Sequence, residues 1–221
     1  KFIVGSEYLK ALVLDINKNI DEGDICIIPT CVDYEAYSQK DYSGINAHPI
    51  INLGWIGSNG NLALLENIIP YIDEVNKVTP VKLIVISGRE IDPDVGFEIE
   101  NLEWSYETQI DDLLKIDIGL MPLNDTRVER GKCGFKLIQY MGLGIVGVAS
   151  SITINKEIVS DRVEGFLVDS DEDWTQVLLK VIELRDQFQE IGDAARRKIN
   201  ERYSFKANTQ KYLTFIETHF A

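Results

Sequence analysis

Residues Arg130-Gly131-Lys132-Cys133-Gly134-Phe135-Lys136-Leu137-Ile138-Gln139-Tyr140-Met141-Gly142-Leu143-Gly144-Ile145-Val146-Gly147-Val148-Ala149-Ser150 decide how this chain is read. They divide into a basic loop with two glycines, a short helix, a glycine stop and a buried strand. Gly131 and Gly134 permit close approach of the backbone to a ligand. The spacing from Phe135 onward predicts a helix. Lys136, Gln139 and Tyr140 fall at i, i+3 and i+4 on one face, and Leu137 and Met141 pack on another. Gly142 and Gly144 end the helix. A short apolar strand over 145–149 follows. Free amides at a helix start, with Arg130, Lys132 and Lys136 around them, predict an anion site, and a diphosphate is the natural ligand.

Outward from this segment the pattern repeats. Strands are predicted over 51–56, 81–87, 99–104, 117–121 and 166–168. Helices are predicted over 62–76 and 107–115. Ser170 and Asp173 form a capping box for a helix reaching 186, and two more helices cover 190–202 and 205–219. This alternation predicts an α/β protein: a Rossmann-like parallel sheet with helices on both faces. Ligands of such sheets sit beyond the carboxyl ends of the strands. Three turns fall there, at 57–61, 88–89 and 124–134, and can line one cleft. Before them come a strand at 2–5, a helix at 7–16 capped by Ser6, and a strand at 25–28. Residues 30–49, rich in Asp, Tyr, Ser and Gly, read as a linker. The expected division is therefore 1–49, 50–204 and 205–221. With a strand starting directly after Lys1, the expectation is a piece of a longer chain.

The formal net charge is −14, which argues against nucleic acid or an anionic membrane surface as general partner and makes the local cluster of cations stand out. No apolar run approaches the ~18 residues of a membrane span, and no signal-peptide pattern is read. Three cysteines without Cys-x-x-Cys spacing fit a reduced, cytoplasmic protein. Cys26, Cys31 and His48 lack metal-ligand spacing and read as packing residues. Cys133 lies among cations that favour a thiolate, but the sequence offers it no base. Neither a metal nor a cofactor is predicted.

Gly57-Ser58-Asn59-Gly60 follows a strand and opens a helix. It reads either as a phosphate-binding turn or as a plain connection, since both the Gly-x-Gly-x-x-Gly spacing and the Walker ending are missing. Asn124 and Asp125 read as sugar-binding groups or as an Asx turn. Glu157 reads as a ligand for hydroxyls or as an acid placed by a helix dipole. Trp55, Trp104, Tyr140 and Trp174 read as packing residues.

Taken in order, Gly54-Trp55-Ile56-Gly57-Ser58, Asp117-Ile118-Gly119-Leu120-Met121-Pro122-Leu123, the 130–150 segment, Asn155-Lys156-Glu157-Ile158-Val159 and Glu164-Gly165-Phe166-Leu167-Val168 resemble a known family. The chain looks like the carboxyl-terminal half of a group 1 (family 4) retaining glycosyltransferase of the GT-B fold. Residues 2–37 resemble the end of the amino-terminal domain. The resemblance implies that the chain binds a nucleotide-sugar donor, UDP- or GDP-linked, and that a glycan or lipid-linked acceptor binds the other domain. It implies roles for Gly57 and Ser58 near the diphosphate, with Asn59 beside them in the same turn as a further candidate, for Lys132 and Lys136 in neutralising it, for Gln139 at the place of a ribose-binding glutamate, and for Glu157 near the nucleotide. Arg130 joins these as a further anion ligand.

The chain departs from the family pattern at several places. Gly131 and Gln139 stand where many members carry a pair of glutamates eight positions apart. Asn59, Gly60 and Asn61 stand where many carry an arginine and a lysine. A bacterial subgroup with Arg-Gly-Lys-Cys-x-Phe-Lys and Gln-Tyr-Met is the closer match. The implied chemistry is metal-independent, same-face substitution at the anomeric carbon, with cations and helix-start amides stabilising the departing diphosphate. The missing glutamates also motivate a second reading, a non-catalytic nucleotide-sugar binding module. A sugar-nucleotide epimerase is a third, for which no acid/base pair is found.

Overall fold

The computed structural model of the protein describes residues 1–220. Near the amino terminus β1 (Phe2–Val4), α1 (Glu7–Ile16) and β2 (Ile25–Ile27) form a βαβ unit whose two strands pair in parallel. Ser6 caps α1 through its hydroxyl, which accepts from the Leu9 amide. The main sheet is built from β3 (Ile51–Ile56), β4 (Val81–Ser87), β5 (Glu98–Glu103), β6 (Ile118–Met121), β7 (Val146–Ser150) and β8 (Gly165–Val168). Between and after these strands lie α2 (Leu62–Glu66), α3 (Ile69–Asn76), α4 (Gln109–Leu113), α5 (Arg127–Arg130), α6 (Phe135–Leu143), α7 (Thr153–Ile158), α8 (Trp174–Glu183), α9 (Phe188–Arg202) and α10 (Phe205–Phe220).

All neighbouring strands are parallel, in the order β5-β4-β3-β6-β7-β8. The chain therefore starts at the centre, winds out to β5, returns to lay β6 against β3, and winds out the other way. That reversal is where open α/β sheets leave a crevice. Both faces are covered, as near-continuous apolar strands require. In β4, Leu83 and Val85 pack with α2, α3 and α8, while Ile84 and Ile86 pack with α4 and α6.

The predicted helix over 62–76 is two helices. Pro70, the second residue of α3, has no amide to donate and its ring crowds the carbonyl one turn back, so α2 stops at Glu66. The capping box of Ser170 and Asp173 forms as expected, ahead of α8. A short helix, α5, lies where the sequence predicts none, and α7 places Glu157 next to its carboxyl end, so Glu157 is not an acid favoured by the dipole at a helix start.

Residues 30–49 lie against the domain. Tyr42 is buried at the amino-terminal edge of the sheet, donating to the Asp117 carbonyl at 2.8 Å and accepting from the Val146 amide at 3.1 Å. Lys40 pairs with the buried Asp117 at 3.0 Å. Further up, the Val32 amide donates to the Tyr203 carbonyl and the Phe205 amide to the Val32 carbonyl, strapping this segment to the junction of α9 and α10.

Candidate functional site

β3 and β6 pair only at Leu53–Ile118 and Gly54–Gly119, whereas β3 and β4 pair along their length. Past that point the central strands separate, and the Tyr140 hydroxyl bridges them. It accepts from the Ile56 amide at 3.1 Å and donates to the Leu120 carbonyl at 3.3 Å. Tyr140 is fully buried. It therefore does not share an exposed face with Lys136; it is the strut that sets α6 beneath the crevice.

Above this split lies a cleft of about 960 Å³. One wall is the turn after β3, from Gly57 to Asn61. The other is the loop from Gly131 into the first turn of α6. Trp104 and Gln109 close one end. The loop turns into α6 at Gly134, whose φ of 66° is left-handed and whose missing side chain leaves room for Ile158. An added Cβ would lie 2.2 Å from Ile158 Cδ1. Gly134 supplies no capping side chain. The amides of the first turn of α6 therefore lack side-chain partners at the cleft, where an anion is favoured.

Two cations enter the cleft. Lys136 extends past Gly57 to place its ammonium 5.2 Å from the centre of the Trp55 ring. Burial, then the nearby Lys132 charge, pull the Lys136 ammonium down to about 8. Lys132 crosses the mouth and donates to Asn61 Oδ1 at 2.9 Å, with the Glu129 carboxylate 3.8 Å away. Asn59, Gly60 and Asn61 form the stretch in which the resemblance leads one to expect an arginine and a lysine. Here the cation comes from the facing loop and an amide receives it. Gly57 is also explained by this packing: a Cβ there would lie 2.4 Å from the Trp55 ring and 2.8 Å from Lys136 Cε.

Of the residues singled out in the sequence, Gly57, Ser58, Asn59, Lys132, Lys136 and Gln139 all line the cleft. Gln139 is 5% exposed, with its amide 3.5 Å from Gln109 Oε1. Arg130 and Glu157 are not among the lining residues. Arg130 forms a bidentate pair with Asp125, at 2.6 and 2.7 Å. Glu157 sits on α7, and burial, then the Glu7 charge, push its carboxyl up. Trp104, expected to pack, is instead 48% exposed at the cleft rim, and Gln109, which the sequence did not single out, lines the cleft beside it. Among the described residues no three His, Cys, Asp or Glu side chains gather to hold a metal.

No protein-family model matches the sequence, and no curated protein matches it. Solved structures do match. Sucrose-phosphate synthase from Thermosynechococcus elongatus is 12% identical with a TM-score of 0.77, over 99% of this chain and 58% of its own. HepE from Anabaena, solved with UDP-glucose, is 13% identical with a TM-score of 0.74, over 98% of this chain and 63% of its own. The carboxyl-terminal domain of the group 1 glycosyl transferase LpcC from Francisella tularensis is 14% identical with a TM-score of 0.58, over 78% of this chain and 98% of its own. The fold is that of the carboxyl-terminal half of a GT-B group 1 glycosyltransferase. The chain spans about three fifths of the length of the first two of these structures.

Within that GT-B frame the cleft lies at the split between β3 and β6, the position at which open α/β sheets receive ligands. Among its lining residues the cations Lys132 and Lys136 stand on the α6 side, and the carboxylate Glu103 stands at the end of β5. The lining thus carries two cations against one carboxylate in a chain of net charge −14.

Proposed function

We propose that this chain is the donor-binding half of a retaining, metal-independent glycosyltransferase that moves a sugar from a nucleotide-sugar to a glycan or lipid-linked acceptor. The observation that carries this is the meeting of Lys132, Lys136 and the uncapped start of α6 at the split between β3 and β6. Charge grows on the diphosphate as the glycosidic bond breaks, and two cations with oriented amides stabilise it there without reorganising. Ser58 and Asn59 supply polar groups on the facing wall, and Gln139 a group for the ribose. The likeness to a structure solved with UDP-glucose supports a uridine donor. Acceptor binding falls to an amino-terminal domain of the kind that the longer matching structures have room for. The three free cysteines fit a cytoplasmic setting, and the resemblance fits bacterial polysaccharide assembly. No helix among the described residues is long and apolar enough to cross a membrane.

Calorimetry of the chain against UDP, GDP and UDP-glucose tests the proposal. Binding that weakens in Lys132→Ala supports it; no heat from any of the three at millimolar concentration overturns it. Gln139 favours a second reading. It stands at the place of a family glutamate and is turned toward Gln109, which suits a module that holds a nucleotide-sugar without turning it over. Donor binding without donor hydrolysis, even after an amino-terminal domain is supplied, would select that reading.

A further inference from the structure

Lys136 is held in an uncommon way. Its aliphatic stem passes over Gly57, where a methyl group would come within 2.8 Å of Cε, and its ammonium rests 5.2 Å from the centre of the Trp55 ring. Trp55 is 1% exposed and belongs to the core beneath β3. The charged or titratable groups that face Lys136 from its own loop are Lys132 and Cys133. Glu103 also lines the cleft but is not among the charges acting on Lys136, and β3 and β6 contribute only Ile56 and Met121 to the lining. Among the described residues no carboxylate pairs with the Lys136 ammonium.

A half-buried ammonium without a counter-ion loses its proton readily unless something it touches favours the charge. The face of an indole does so, and more strongly as water is excluded. We propose that Trp55 is a positioning residue of the anion site, its ring face holding the Lys136 ammonium charged and in place to meet a diphosphate. The identity of the ligand rests on the donor reading above; the pairing of Trp55 with Lys136 does not. The arrangement makes anion binding responsive to proton concentration. A diphosphate entering at mildly alkaline pH draws a proton onto Lys136, so affinity falls as pH rises through about 8. Gly57 completes the device, because any side chain there would separate stem from ring.

The test uses the whole chain with its lysines dimethylated with carbon-13, the Lys136 signal being the one lost in Lys136→Arg. In the wild type this signal is expected upfield of the other lysines, displaced by the ring current of Trp55. Its titration midpoint is expected to drop by about 0.5–1 pH unit in Trp55→Leu and by less in Trp55→Phe. UDP affinity near neutral pH is expected to fall about 3- to 10-fold in Trp55→Leu, with Trp55→Phe between. A Lys136 signal placed among those of solvent-exposed lysines overturns the proposal without any variant. So does an unchanged midpoint in Trp55→Leu; where that variant does not fold, the position of the wild-type signal alone decides. A wild-type chain that shows the displaced signal and the shifted midpoints but binds no UDP overturns the donor reading and leaves the pairing standing.

Discussion

The Tyr140 hydroxyl accepts from the Ile56 amide at 3.1 Å, just past the last residue pair joining β3 to β6. A side chain thus takes over from the sheet's own ladder where the strands part to admit a ligand. Removing that hydroxyl in Tyr140→Phe leaves a buried amide, and the Leu120 carbonyl, short of a partner. The expected loss is about 1–3 kcal/mol of stability, read as a lower urea midpoint with unchanged slope. A loss below about 0.5 kcal/mol would mean that water reaches the split and that Tyr140 is ordinary packing.

Gly134 and Gly131 flank the same loop and are expected to behave differently. Gly134 has a φ of 66°, and a methyl group there meets Ile158 at 2.2 Å. Gly131 has a φ of −84° and ordinary contacts from 3.4 Å outward. Gly134→Ala combines left-handed strain with overpacking and is expected to cost on the order of 2–4 kcal/mol. Gly131→Ala is expected within about 0.5 kcal/mol of the wild type. Thermal melts of the two variants side by side decide it, and equal melting temperatures contradict this account of the loop.

How much of this could be read from the residues depends on the kind of signal. The helix and strand of the 130–150 segment were legible because apolar spacing and glycine stops act locally. The order of the strands was not, because buried parallel strands carry nearly the same Val, Ile and Leu pattern wherever they lie in the sheet. That Lys132 and Lys136 line one cleft was legible, since two cations beside glycines at a strand–helix turn stand out in a chain of net charge −14. Arg130 looked equally available, and only three dimensions bring Asp125 into its fork. Trp55 was read as a packing residue, which it is on its core side. Its contact with Lys136 joins positions 81 residues apart (136 − 55) and leaves no trace in either local pattern. Residues 30–49 looked like a free linker because their composition is polar; the Lys40–Asp117 pair is again a long-range fact.

Lys136 is expected to trade stability for binding. Burial, then Lys132, hold its ammonium at about 8 instead of 10.5. Below about pH 8 the folded and unfolded chains both carry the charge, and the folded chain bears the desolvation penalty. Between about 8 and 10.5 the unfolded chain binds the extra proton, so the penalty fades as pH rises. Lys136→Met is therefore expected to be more stable than the wild type at pH 7, on the order of 1–3 kcal/mol, with the advantage shrinking toward alkaline pH. The same variant, like Lys136→Ala, is expected to bind UDP more weakly by about 1–3 kcal/mol. Urea unfolding at neutral and alkaline pH, with calorimetry beside it, checks both halves. A destabilised Lys136→Met at pH 7 would show that the ammonium is a structural group and not one held in readiness for a ligand.

The Lys40–Asp117 pair provides a test of how residues 30–49 are held. Both side chains are largely buried, and the remaining polar atoms are occupied. Lys40 also donates to the Leu114 carbonyl at 2.7 Å, and Asp117 Oδ2 accepts from the Asn52 amide at 2.9 Å. Removing the cation alone in Lys40→Met strands a carboxylate at the amino-terminal edge of the sheet, and the expected loss is about 3–5 kcal/mol. Adding Asp117→Asn to that variant removes the stranded charge while leaving an oxygen for the Asn52 amide, so part of the loss is expected to return. If the double variant is no more stable than Lys40→Met, the damage lies in the lost contact of the Lys40 ammonium with the Tyr42 ring, 5.5 Å from its centre, and not in the uncompensated charge. If Lys40→Met itself costs less than about 1 kcal/mol, the segment is held chiefly by the buried Tyr42, whose hydroxyl already joins Asp117 to Val146.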